Sequence, residues 1–311
     1  RRRRARRGRQ GPAGPAVGRR QRAPARFAII PAHAGDDAIR QAAAATGFPC
    51  VIKAVSLSAS QGVLRADDAG QAVQAAARIR PILATARRDA AGSLLAEEYL
   101  PGPELRIDGL LDDGTLIPLA IFDKPAMPEG PTFEETLLVT PSRLPRHVIA
   151  ETVGTAGRAA RALGLRTGPV HAELRVTSTG PAMLELAARS IGGLCSRALQ
   201  FPGGQSLEQL ILANALGEPV PPRCQHIPWS SGVFMLPVPR AGVLRSVEGR
   251  ADADAVPGIT GVTITIPRGR RVRPLPDGDQ YLGFVFAEAP TPGEVEKALT
   301  TASQRLHAVI E

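Results

Sequence analysis

Three charged residues sit where strand-forming sequence would ordinarily be apolar, and their types suggest phosphate chemistry. Glu173 lies in "PVHAELRV" (169–176) and Glu185 in "AMLELAAR" (182–189). Strand alternation sets Val170, Ala172, Leu174 and Val176 on one face and His171, Glu173 and Arg175 on the other. In the second run Leu184, Leu186 and Ala188 share a face, opposite Met183, Glu185, Ala187 and Arg189. A hairpin turning about Thr179 puts Glu173 directly across from Glu185. Opposed residues have Cβ atoms roughly 4.5–5.5 Å apart, and like charges there repel. A divalent cation between them removes the conflict, and Mg²⁺ takes carboxylate oxygen together with phosphate. A register shifted by two would instead leave both glutamates in water, and the sequence keeps both options open.

Lys53 is the third charge, in the middle of "PCVIKAV" and one of three lysines in the chain. A lysine in such a strand commonly snorkels to solvent or marks an edge. Here it is followed by "SLSASQG" (56–62), whose N–H and hydroxyl groups can close over phosphate. Further on, "AEEYLPGPE" (96–104) ends a strand in two acids, turns at Pro-Gly-Pro and presents Glu104. Adenine needs a flat apolar slot and an acceptor for its amine, and ribose needs a carboxylate for its hydroxyls. A solvated acidic turn is the plainer account of the same residues.

The elements that must hold these groups read as α+β. Residues 36–46 form a short helix after an Asp cap region, 48–55 a strand, and 67–88 a helix with a break or kink at Pro81. Strands follow at 93–100, 104–113 and 115–125, the last two joined by an Asp-Gly hairpin signal. Then come a long helix at 146–165, the glutamate hairpin, and a helix at 206–217. From about residue 225 short strands alternate with Gly/Pro turns and are closed by a helix from Thr291 to Ile310. Trp229 is most simply a packing residue, and Cys195 a small buried one. The pattern predicts mostly antiparallel sheets rather than a doubly wound fold.

Charge narrows the partners. The net charge is +9, but residues 1–27 hold 11 Arg and no acid, so the remainder carries 27 basic and 29 acidic side chains. A basic nucleic-acid face cannot be argued for that remainder. The arginine-rich residues 1–26 are expected to be a disordered tail, through which alone RNA could be bound. Three cysteines in no metal spacing point to a reducing cytoplasm. No apolar run approaches the ~20 residues of a membrane helix.

The ordered set of a lysine strand with a small-residue loop, "EEYLPGPE", and "HAELRV…MLELAARSIGG" resembles the ATP-grasp superfamily, on its carboxylate–amine ligase branch. The resemblance runs from about residue 27 to 311 and implies two α+β subdomains clasping ATP (27–97 and 98–222) with a C-terminal mostly-β subdomain (223–311). It also implies that the N-terminal α/β domain of that family is missing. Residue by residue, Lys53 would hold ATP phosphates, under a lid that includes Ser56, Ser58, Ser60 and Gly62. Glu97 would accept from the adenine amine, with the main chain of Glu98 and Leu100 against the ring and Glu104 on the ribose. Glu173 and Glu185 would ligate Mg²⁺, with Mn²⁺ as an alternative, and Arg189 would stabilise the transferred phosphoryl group. Lys124, Glu135, His171 and Ser190 would stand nearer the substrates, Lys124 and His171 as catalytic candidates. The family's Glu-x-Asn-x-Arg reads here Glu185-Leu186-Ala187-Ala188-Arg189, so a methyl replaces one metal ligand.

The implied activity is an ADP-forming ligase joining a carboxylate, such as an amino acid, to an amine through an acyl phosphate. A carboxylase-like enzyme with another acceptor and a nucleotide-binding module without turnover are the alternatives. The implied partners are ATP and small carboxylate and amine substrates, with homodimer formation left open and no membrane.

Overall fold

The computed structural model describes residues 25–85, 92–125, 128–218, 220 and 229–311. The arginine-rich tail to residue 24, Cys224 and the 222/223 boundary lie outside them.

The first lobe is built by alternation. Strands β1 (Phe27–Ile30), β2 (Cys50–Ala54), β3 (Val63–Ala66) and β4 (Leu94–Glu98) form an antiparallel sheet in the order β1-β4-β2-β3. Ile30, Ile52, Leu64 and Ala96 point to one face, where helices α1 (Asp36–Thr46) and α2 (Ala69–Thr85) bury them with Ile39, Ala76 and Ile79. The opposite face is open, and Phe27, Ile29 and Val55 are each more than 60% exposed on it. Helix α2 runs through Pro81 instead of breaking there. Its buried stripe of Ala72, Ala76, Ile79, Ile82 and Leu83 continues on both sides of the proline, so packing overrides the missing N–H.

The second lobe begins with β5 (Glu104–Asp112), β6 (Thr115–Asp123), β7 (Leu137–Thr140) and helix α3 (Arg146–Ala162). It continues with β8 (Gly168–Thr177), β9 (Gly180–Ala187) and helix α4 (Leu207–Ala215). The β5–β6 turn uses Asp113 and Gly114, both at positive φ (44° and 79°), as a two-residue hairpin requires. The C-terminal elements are β10 (Ser230–Leu236), β11 (Gly242–Glu248), α5 (Arg250–Asp254), β12 (Ile259–Ile264), β13 (Arg271–Val272), β14 (Gly283–Ala289), α6 (Pro292–Ser303) and β15 (His307–Ile310). Three of these strands extend the second lobe's sheet to eight, in the order β12-β14-β10-β7-β6-β5-β8-β9. A third sheet has the order β13-β11-β15. All pairings are antiparallel among the described residues.

One face of the large sheet carries a core of Leu110, Phe122, Cys195, Phe201 and Phe284. The other face packs Ile107, Ala172 and Leu174 against α3, and Leu137, Val262 and Val285 against α6. The closing helix stops at Ser303 rather than reaching Ile310. Residues 307–310 pair with β11, and this burial of Leu306 and Ile310 outweighs continued helix. Trp229 is 59% exposed, so it does not pack as expected. Among the described residues no helix is long and apolar enough to cross a membrane.

Candidate functional site

The glutamate hairpin has the expected opposition, reached by a different route. Strands β8 and β9 are joined by a tight turn that pairs Thr177 with Gly180 and Leu174 with Met183. Leu184 is then skipped as a bulge, and Glu173 pairs with Glu185. The bulge also swings Met183 toward the α3 core beside Leu186, where simple alternation put it on the glutamate face.

Glu173 does not stand alone. On β5 the charged residues Glu104, Arg106 and Asp108 alternate with apolar ones, and β8 does the same with His171, Glu173 and Arg175. The register sets Glu104 against Arg175, Arg106 against Glu173, and Asp108 against His171. Two rungs therefore join opposite charge, and the third sets a carboxylate against an imidazole. The contacts are Arg175 Nε to Glu104 Oε2 at 3.0 Å, Arg106 Nη2 to Glu173 Oε1 at 2.8 Å, and His171 Nδ1 to Asp108 Oδ1 at 2.9 Å. His171 Nε2 also reaches Glu173 Oε1 at 3.3 Å.

Two residues from outside the ladder complete it. Lys124, just past β6, places Nζ 2.5 Å from Glu104, 2.6 Å from Glu135 and 3.1 Å from Glu173. Glu135, ahead of β7, also takes Arg106 Nη2 at 2.7 Å. Burial disfavours every one of these charges, and the partners decide the outcome. Against burial, Lys124 and Arg106 hold the Glu173 carboxyl well below the usual carboxylate range. Against burial, Glu135, Glu173 and Glu104 push the Lys124 ammonium up, and Asp108 and Glu173 raise the His171 pKa. The cluster is a buried ionic lattice of four carboxylates with Arg106, Lys124, Arg175 and His171.

Glu185 is different. It lies on the edge strand β9, its side chain is 58% exposed, and its nearest cation is Arg189 Nη2 at 3.9 Å. Arg189 is itself half exposed and donates to the Ser190 carbonyl at 2.9 Å. Glu104 is 6% exposed, with one oxygen on Lys124 and the other on Arg175.

On the open face of the first lobe Lys53 Nζ lies 2.5 Å from Glu97 Oε2. The pair sits beside a concavity of about 590 Å³ that Phe27, Ile29, Val55, Ser56 and Leu95 line with Glu97. Loop 56–62 holds Ala59 and Ser60 in left-handed conformations (φ 56° and 57°), and Ser56 Oγ is buried without a hydrogen-bond partner among the described residues. At the hinge between lobes the Glu98 N–H donates to the Arg26 carbonyl, and the Leu100 carbonyl accepts from Arg175 Nη1 at 2.7 Å. The Arg65 and Arg175 guanidiniums both lie over the Tyr99 ring, 4.6 and 5.1 Å from its centroid. Arg65 belongs to the first lobe and Arg175 to the second, so one ring ties both.

Lys124, Glu135, His171 and Glu173 are thus brought together, while Lys53, Glu97 and loop 56–62 stand on the other sheet. Arg106, Asp108 and Arg175 were missed by sequence reasoning. Their signal was present: "ELRID" carries charge at every second residue, the pattern already used for "HAELR".

Two sheets clasped at an aromatic hinge, the lysine strand and the glutamate hairpin define an ATP-grasp architecture. Residues 46–198 match the ATP-grasp domain, and residues 234–311 match L-amino acid ligase C-terminal domain 2. The chain belongs to the ATP-grasp superfamily, on the branch that carries this C-terminal domain. It is 32% identical to carnosine synthase 1 of Gallus gallus over 221 residues, covering 67% of this chain and 24% of that one. It is 28% identical to the alanine–anticapsin ligase of Bacillus subtilis (strain 168) over 183 residues, 53% of this chain and 38% of that one. The crystal structure of an L-amino acid ligase from Bacillus licheniformis superposes with a TM-score of 0.71 at 26% identity, over 85% of this chain and 65% of that one. The chain spans less than two thirds of each of these proteins.

Proposed function

We propose that this chain carries out ADP-forming ligation of an amino-acid carboxylate to an amine. A carboxylate is a poor acyl donor because its leaving group would be oxide. Attack of its oxygen on the ATP γ-phosphorus releases ADP and makes an acyl phosphate, which the amine opens with loss of phosphate and a proton. The protein's part is positioning and charge stabilisation.

The open face of the first lobe supplies the nucleotide surface in this reading. Lys53 exchanges Glu97 for phosphate oxygens, and Glu97 turns to the adenine amine. The main chain of Glu98 and Leu100, at the hinge, meets the ring edge. Ser56, Ser58, Ser60 and Gly62 close over the phosphates and exclude water. Glu104 works first as the anchor of Lys124 and Arg175, and the lone pairs left on its two oxygens would take the ribose hydroxyls. Lys124 and Arg189 face the transferred phosphoryl group, and His171 steadies Glu173.

Glu173 and Glu185 suit a hard cation. They are direct neighbours in the register, Glu185 on the open edge strand and Glu173 on the strand inside it, and no third His, Cys, Asp or Glu forms a metal set with them among the described residues. Mg²⁺ or Mn²⁺ held there would draw its remaining ligands from phosphate and water and neutralise the triphosphate.

The register that pairs Glu173 with Glu185 carries this reading. It is tested by ADP release from ATP and Mg²⁺ across a panel of amino acids. Glu185→Gln is expected to lower that release about 100-fold with the circular dichroism spectrum unchanged, a size typical for loss of one charge-stabilising group. Unchanged turnover would remove the metal assignment. A second reading, nucleotide binding without turnover, is favoured by Ala187 at the position of a ligand and by the engagement of Glu173 with Arg106 and Lys124. Binding of an ATP analogue with no amino-acid-stimulated ADP release would select it. The free thiols of Cys50 and Cys195 support a cytoplasmic setting.

A further inference from the structure

The loop that follows Lys53 is pinned by a segment more than two hundred residues away. Gly62 N–H donates to the Pro276 carbonyl at 3.1 Å, and Gln61 Nε2 donates to the Asp277 carbonyl at 2.9 Å. One helix further, Arg78 Nη2 meets Asp277 Oδ2 at 2.9 Å. Gln61 and Gly62 end the loop and Arg78 sits on α2, so both parts of the first lobe are tied to one turn.

That turn, residues 274–278, is stiff in its own right. The N–H groups of Asp277 and Gly278 both return to the Pro274 carbonyl, at 3.1 and 2.9 Å. A Cβ on Gly278 would lie 2.0 Å from the Arg273 carbonyl oxygen, so only glycine closes the turn. Its base is fixed by Val272 of β13, which is 4% exposed in the C-terminal core. At the loop's other end Leu57 packs on the first lobe's core. Between Leu57 and Gln61 the loop borders a cavity of about 450 Å³ that Ser58, Arg273 and Asp279 help to line. The loop therefore has fixed ends and a middle with room to move.

We propose that turn 274–278 is a strut by which the C-terminal domain positions the phosphate loop, with Gln61, Arg78 and Asp277 as positioning residues. The inference rests on loop 56–62 being the nucleotide lid, as argued above. The strut joins the part of the chain that resembles amino-acid ligases at its C-terminus to the part that would hold ATP. It sets the resting position of the lid, and shifts of the C-terminal domain reach the phosphates through it.

Two exposed side chains make the test clean. Arg78 and Asp277 have side-chain exposures of 55% and 36%, so their replacement spares the core. Hydrogen exchange of the peptide spanning 56–62 is compared between the wild type, Gln61→Ala/Asp277→Ala and the charge swap Arg78→Asp/Asp277→Arg, alongside KM for ATP and kcat. The Ala double variant should exchange several-fold faster in the loop alone and raise KM for ATP by about tenfold with a smaller effect on kcat, the scale of losing one or two hydrogen bonds. The swap, which keeps Gln61 and reverses the ion pair, should stay near the wild type in both. Loop exchange that stays at the wild-type rate in the Ala double variant overturns the strut. A wild-type chain that fails to bind an ATP analogue overturns the lid reading instead, and the exchange data still decide whether the turn restrains the loop.

Discussion

The density of charge around Lys124 sets the first expectation. Its ammonium is the shared partner of Glu104, Glu135 and Glu173, and its side chain is 3% exposed. Lys124→Met leaves three carboxylates close together with Arg106 and Arg175 as remaining cations. Breaking a buried ionic set from one side costs about 3–5 kcal/mol. Urea unfolding of the Met variant should show a loss of that order, whereas Arg245→Ala, whose partner Glu311 is itself well exposed, should cost well under about 1 kcal/mol. Equal losses would mean that the lattice is not cooperative. Much of this site was legible beforehand. The opposition of Glu173 and Glu185 was one of the two registers the sequence allowed, and of the two only Glu173 is buried enough to need neutralising charges. The bulge at Leu184 was not legible, because a skipped residue leaves no mark in a run of apolar side chains. Neither was the identity of the neutralising charges: Arg106 is contributed by a neighbouring strand whose pairing with β8 only the folded sheet reveals.

At the level of elements, the sequence was informative wherever local pattern and tertiary packing agreed. Helix α1 and the β5–β6 hairpin fall where the capping and turn residues put them. Strands β3, β7 and β15 were not anticipated, and each is four residues long. Such short strands carry too little period to announce themselves and exist because a neighbouring strand needs a partner. Pro81 shows the converse, a strong local breaker overruled by the buried stripe of α2. That conflict should be measurable. Pro81→Ala restores a backbone donor inside the helix, at the price of a more flexible unfolded chain worth about 0.4–1 kcal/mol. A proline in a helix interior costs about 3 kcal/mol. The variant should therefore gain about 2 kcal/mol in urea unfolding. A loss would show that the helix bends at this point to accommodate the ring.

For the molecule as a whole, the two lobes differ in how well they are covered, and their buried thiols can report it. Cys50 lies under α1 and α2 in a four-stranded sheet whose other face is open, while Cys195 lies in the core of the eight-stranded sheet. Burial raises the Cys50 thiol to about 11 and the Cys195 thiol to about 12. At pH 8 a thiol with a pKa near 11 is ionised in only about one molecule in a thousand, and the thiolate is the species that alkylates. Both cysteines should therefore stay unlabelled by iodoacetamide in the native protein at pH 8. They should react only as their lobes open. The lobe with one covered face has less apolar area to lose and should open first, at lower denaturant. Mass spectrometry of tryptic peptides after pulsed labelling should find Cys50 modified at urea concentrations that leave Cys195 untouched. Simultaneous labelling would instead mean that the Tyr99 hinge, the Leu64–Thr132 bridge and the contacts to residues 276–277 weld the lobes into one cooperative unit. In that case the same experiment on Gln61→Ala/Asp277→Ala should separate the two events, because that variant cuts side-chain ties between the first lobe and the C-terminal domain while leaving each core intact.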